Sequence, residues 1–360
     1  MSTSTPQRPP GTFALILIAT LLVAVGLYLM RPVVLPLILA VFFSALARPL
    51  QVRLQRFMPS SLALVLTIVV SAAILVSLPL VFAANMQSVI AKLPEYGPRL
   101  QEIIGDGLGL LKDAGLDVAT IDLQSQKTTD VIIGVATSAA GGIFDFLGQV
   151  VLVIFLMVFL LAEANILRAK LAIALKPTDH ATVMESFASM QERIQQYVQT
   201  KTLFSALNAT AAGVFTWVLG MDFPVIWGLL TFILYFIPTF GTLIATIPPV
   251  LLALVQFESP TTAIVCLIGL IVIFNLLGNV VEPRFLGRTL SLSPLVVFVS
   301  LIFWGWFFDV VGFVLSVPLT VVLGIICEHI PSLRPIAVLI ADKPRPRTED
   351  QGDDVGERAR

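Results

Sequence analysis

Ionisable and amide side chains are scarce in the apolar runs of this chain, so each one found there invites a chemical reading. Asp309 stands in Trp304-Gly305-Trp306-Phe307-Phe308-Asp309-Val310-Val311-Gly312, an acid flanked by aromatics. A carboxylate in that setting can hold an ion or a proton, or it can cap a turn that reaches water. Asn275 and Asn279 are four apart, which puts them on one helix face with Glu282 close behind. Such a stripe either lines a pathway or hydrogen-bonds to a neighbouring helix. Glu282, Arg284 and Arg288 follow the same apolar run and read as a gate or ion pair, or as an anchor at the lipid boundary. Pro238, Thr239 and Gly241 interrupt another uncharged run. Proline removes a backbone donor there, and the freed polar groups can meet a solute.

Other chemistry is poorly supported. The apolar runs hold no His pair, no HExxH and no two-aspartate arrangement, so no catalytic residue is expected. No phosphate-cradling glycine loop occurs, which argues against direct ATP drive, and no cofactor is expected. His180 and His329 lack neighbouring ligands, and no metal site is expected. Cys266 and Cys327 both lie in apolar runs and read as small buried hydrophobes. The net charge is −1, too little positive field to hold nucleic acid.

The elements that must position these residues follow from composition. Of 360 residues, 57% are apolar and 12% charged, against roughly 25% charged in soluble domains. A water-soluble fold of this size could not cover itself. Lipid must be the solvent, and the expected fold is an all-α polytopic membrane protein with about six full crossings.

Residues 1–11 are expected to be disordered, and 12–84 to hold three membrane segments, of which 32–47 is short for a crossing. Region 85–145 carries an acidic excess with Pro94, Gly97, Pro98 and Gly115 as turn residues. It reads as a small extracytoplasmic insertion that includes an amphipathic helix, with a helix packed at the interface over 131–144. Region 146–177 is a crossing with a basic end. An amphipathic surface helix follows over 178–201, and a transport core with two hairpins over 202–330. The tail at 331–360 is expected in the cytoplasm, disordered from 342.

Basic clusters at Arg48, Arg53 and Arg56, and at Arg168, Lys170 and Lys176, belong on the cytoplasmic side. Counting crossings from them places both termini inside and makes 223–257 and 289–327 each start and finish on one face. Two full spans plus a turn need about 40 residues. The arms are shorter, so two re-entrant or broken helical hairpins are expected, entering from opposite faces with tips at 238–241 and 309–312. Irregular backbone survives at that depth only against protein or a water-filled cavity, and opposed broken helices are how many transporters build a solute site. Pro238, Thr239, Gly241, Asn275, Asn279, Asp309 and Gly312 would line that site.

Three stretches of the second half resemble the autoinducer-2 exporter family of bacterial membrane proteins. They are Tyr197-Val198-Gln199-Thr200-Lys201-Thr202, then Gly220-Met221-Asp222-Phe223-Pro224 through Ile237-Pro238-Thr239-Phe240-Gly241 to Ile247-Pro248-Pro249. The third runs from Glu282-Pro283-Arg284 through Leu292-Ser293-Pro294-Leu295 and Trp304-Gly305-Trp306 to Ser316-Val317-Pro318-Leu319-Thr320. The resemblance implies a multi-spanning exporter of the bacterial inner membrane with an elevator-like mechanism and a pentameric homo-oligomer. Relatives have been linked to autoinducer-2 export and to sodium/proton antiport. The chain departs from the family at Tyr235-Phe236 and at Asp309-Val310-Val311, both beside the expected tips.

The leading expectation is a secondary exporter of a small polar solute, with Na+ or H+ as coupling ion. The alternatives are a monovalent cation/proton antiporter with Asp309 as its ionisable group, and a non-transporting membrane scaffold that binds a partner through the acidic insertion.

Overall fold

The computed structural model describes residues 25–113, 146–163, 177–257, 259–286, 292–329 and 333–340, with a few isolated positions besides. Every element among the described residues is helical. The leading tail, most of the first expected crossing, the helix expected over 131–144, Arg288 and the charged tail lie outside them. In lipid a helix satisfies its own backbone polar groups, and the uncharged runs of this chain take that solution.

Helix α1, Arg31–Leu54, has proline in its first turn and Arg53 in its last, which suits the helix dipole at that end. The expected segment stopped short at 47. The helix instead continues past Arg48 to Leu54, 24 residues in all or about 36 Å, enough to cross a core of about 30 Å. Helix α2, Ser60–Asp113, runs for 54 residues through Pro79, Pro94 and Pro98. The turn expected at Pro94 to Pro98 does not form. Those prolines are four apart, so both missing donors fall on one face and the rest of the ladder persists. At about 80 Å, α2 overshoots any bilayer, and its second half projects from the apolar layer. Helix α3, Phe146–Glu163, packs Val153, Met157 and Leu161 against Ala40 and Ala47 of α1 and Leu64 and Ile68 of α2.

Helix α4, Pro177–Val218, is continuous over 42 residues. A boundary was expected after Lys201, because a lysine belongs at an aqueous edge. No helix breaker lies there, and Lys201 is buried against an acid instead.

Next come α5, Pro224–Leu234, and α6, Phe240–Gln256, joined by the break around Pro238. Gln256 closes the base of this pair: the Asp222 backbone N–H donates to its Oε1 at 2.9 Å, and its Nε2 donates to the Gly220 carbonyl at 3.0 Å. Both arms therefore start and finish at one end, which makes a hairpin. Helix α7, Pro260–Phe274, begins at the Ser259 cap and widens into a π-helix, Asn275–Val281, before a short helical end, Glu282–Leu286.

Helix α8, Pro294–His329, would make one crossing by length alone. Its backbone leaves the helical region at Phe308 (φ −125°) and Asp309 (φ 53°), and Trp304 Nε1 donates back to Thr320 Oγ1 at 3.0 Å. The two arms fold onto each other as a second hairpin. Helix α9, Arg334–Ile340, returns to its base, where Ser293 N–H meets the Ile340 carbonyl at 3.2 Å. One buried cluster joins Phe42 of α1, Tyr197 and Val198 of α4, Phe236 of the first hairpin, and Leu315, Val317, Val321 and Ile325 of the second.

Candidate functional site

The two tips share a construction. Each holds one non-glycine residue at positive φ, Thr239 (φ 63°) and Asp309 (φ 53°), where an L-residue is strained. Each then places a glycine against an earlier carbonyl. A β-carbon on Gly241 would collide with the Leu234 oxygen, and one on Gly312 with the Trp304 oxygen. Only glycine lets the arms approach so closely.

The tips themselves do not meet. Phe240 of the first packs on Phe298, with ring centroids 5.7 Å apart. Phe298 lies eleven residues before Asp309, or about 16 Å along the helix. The tip of the second hairpin reaches the start of α1, where Arg31 faces Asp309 at 3.5 Å and Tyr28 stacks on Trp306. The Asp309 side chain is 76% exposed, so this acid caps an open turn and pairs loosely with a cation.

The stretch leading into the first tip, Tyr235 to Ile237, is buried beside an ion pair, while Thr239 and Phe240 at the turn are exposed. Lys201 Nζ lies 3.1 Å from Glu282 Oε1, with the two side chains 11% and 8% exposed. The Tyr235 hydroxyl donates to Glu282 Oε2 at 2.5 Å, and Lys201 Nζ sits 4.3 Å above the Tyr235 ring. The hydroxyl also lies close over Gly278 of the π-helix, where a side chain would displace it. A carboxylate and an ammonium withdrawn from water each cost several kcal/mol, and only close pairing with further hydrogen bonds offsets that. Tyr235 supplies such a bond and so ties the hairpin tip to the pair.

The Asn275–Asn279–Glu282 stripe expected from spacing is split by the π-turn. Asn279 Nδ2 donates to Asn275 Oδ1 at 2.8 Å, and Asn275 Nδ2 donates to the Ile271 carbonyl at 2.8 Å. Both amides stay on the exposed side, whereas Glu282 faces inward. Arg284 is exposed, and the partner of Glu282 is Lys201 instead. Spacing missed Lys201, Tyr235, Ser205 and Asn208. A signal was present: Lys201, Ser205 and Asn208 stand at i, i+4 and i+7 on α4, a polar stripe at a helical face.

The base of the first hairpin carries its own polar latch. Lys92 Nζ reaches Asp222 Oδ1 at 2.7 Å, the Tyr96 hydroxyl donates to Asp222 Oδ2, and Trp227 Nε1 donates to the Asp222 carbonyl at 2.8 Å. Burial alone pushes the Asp222 carboxyl up, but the hydrogen bonds from Lys92 and Tyr96 outweigh it and hold the group below the usual carboxylate range.

A family model described as AI-2E family transporter matches residues 17–332. The AI-2 transport protein TqsA of Escherichia coli K12 is 32% identical over 323 residues, which cover 88% of this chain and 92% of that protein. A Haemophilus influenzae protein named "Putative transport protein" is 28% identical over 329 residues, 90% of this chain and 94% of its own. YhhT of E. coli K12, which bears the same description, is 27% identical over 346 residues, 94% and 97%.

Proposed function

The chain belongs to the AI-2E transporter family, and on that premise we propose that it exports a small polar solute, in the manner of autoinducer-2, through the bundle around the first hairpin. The observation that carries this reading is the break at Tyr235 to Gly241, whose buried start is tied to a buried Lys201–Glu282 pair while Thr239 and Phe240 at its turn stay exposed. A scaffold has no use for irregular backbone and charge at that depth, where both are costly. A solute path does. TqsA, whose name gives AI-2 as its cargo, supports a hydroxylated solute of that size.

Movement is elevator-like in this reading. The first hairpin shifts as a unit against α4 and α7, and the pairing of Tyr235 with Glu282 is remade at each stroke. Both termini lie on the cytoplasmic side, where Arg48, Arg53 and Arg56 collect. Broad exposed apolar faces on α7 and α8 suit lipid and neighbouring copies in a homo-oligomer. The cation/proton antiporter is the second reading. The buried pair favours it, with Glu282 taking the part that spacing assigned to Asp309.

The test is efflux from liposomes loaded with a panel of small hydroxylated solutes, autoinducer-2 included, with and without sodium and pH gradients. Saturable efflux of one solute is the expected result. Retention equal to protein-free vesicles across the panel, from folded protein, would remove the reading. Sodium-driven proton movement without solute efflux would favour the antiporter.

A further inference from the structure

Ser205 and Asn208 are completely buried on α4, yet Ser205 Oγ and Asn208 Oδ1 have no hydrogen-bond partner. An unpaired buried oxygen gives up its hydrogen bonds to water with no return, a burden that alanine at either position would avoid. Both stand on the helix face of Lys201, whose ammonium lies over the Tyr235 ring. Two neutral oxygens thus lie on the helix face whose Lys201 meets the buried carboxylate and phenol. Just before Glu282, the backbone of α7 widens into its π-helix, a distortion that gathers at functional sites.

We propose that Ser205, Asn208, Tyr235 and Glu282 form a binding site for a monovalent hard cation of the size of Na+, and that the Lys201 ammonium competes with it for Glu282. Hard cations take oxygen ligands, and one carboxylate with neutral oxygens balances a single charge. Among the described residues no cluster of three His, Cys, Asp or Glu side chains would suit a divalent metal. Glu282, buried as it is, needs a positive partner at every stage. Lys201 supplies one now, and its flexible stem lets it withdraw when a cation arrives. Withdrawal also lifts the ammonium from the Tyr235 ring, so the ion sets how firmly the hairpin tip is held. The inference deepens the transport reading by naming the site of its coupling ion.

The experiment titrates full-length protein in detergent with NaCl against choline chloride at constant ionic strength and reads the thermal unfolding midpoint. A saturable rise in Na+, absent in choline, is expected. Ser205→Ala removes an oxygen that has no partner, so its fold is kept, while at least tenfold more Na+ is needed for the same rise. Asn208→Leu is a second variant with the same expectation. Equal midpoints in both salts, or an unchanged Na+ response in both variants, overturn the site. Binding is read here without flux. Na+ binding in a protein that moves no solute keeps the site and removes the transport reading, and solute flux with no Na+ response does the reverse.

Discussion

A lysine and a glutamate buried together in an apolar bundle are held by the cost of separation as much as by attraction. Removing one leaves the other charged and unpaired, at about 3–5 kcal/mol. Glu282→Gln or Lys201→Met should therefore lower the unfolding midpoint sharply in denaturant titrations. The double variant Lys201→Met/Glu282→Leu, apolar throughout, should recover most of the loss. Additive losses would mean that the two side chains do not depend on each other. The pair was illegible in the sequence because its members stand 81 positions apart. Glu282 looked like a boundary residue beside Arg284, and Lys201 like the end of a surface helix. Only the fold brings them together. Asp222 offers a pH test at the same scale. Its folded carboxyl sits below the ordinary value of about 3.9, so its contribution is present above that pH and is lost as pH falls through the lowered value. Asp222→Asn should be less stable than wild type at neutral pH, and the difference should close under strong acid. A gap of constant size down to pH 2 would contradict the latch.

Helix breaks were the most legible elements, because proline, glycine and arm length each constrain backbone without reference to distant partners. The interruption at Pro238 to Gly241 falls between two helices, and the reversal at Asp309 precedes Gly312 by one turn. Helix ends were less legible. α1, α2 and α4 all outrun the segments that charge suggested, since arginine, proline and a paired lysine can each be carried inside a helix once neighbours or solvent meet their polar groups. The tight glycines give the test. Gly241→Ala and Gly312→Ala each drive a methyl into a backbone carbonyl that cannot yield, and overpacking of that kind costs about 1–3 kcal/mol or more. Gly148→Ala, on an open face of α3, should be neutral or stabilising by up to about 1 kcal/mol. Unfolding midpoints of the three variants rank these effects. Equal midpoints would mean that the arms are not packed as described.

At the scale of the whole molecule, the two hairpins run in opposite directions and differ in what they pack against. The second spans from the Glu282 end of the bundle to Arg31 and packs as a wall, with Leu315, Val317, Val321 and Ile325 in a buried cluster shared with α1 and α4. The first hangs from the Asp222 latch and ends at the ion pair. Under the proposed transport function, that asymmetry gives motion to the first hairpin and support to the second. It predicts that a disulfide or crosslink between α5 and α4 stops flux, while one between the arms of the second hairpin leaves flux intact; the reverse pattern in loaded vesicles would exchange their roles.

In the transport reading the first tip meets an aqueous path within the bundle. Cys266 and Cys327 are buried and Thr239 is exposed at the tip, so Thr239→Cys in a chain with both native cysteines changed to alanine reports on it directly. In proteoliposomes, a membrane-impermeant thiol reagent should modify this cysteine, and an exported solute should slow the reaction. A thiol that stays unmodified from both faces of the bilayer, in protein that is folded, would contradict the account.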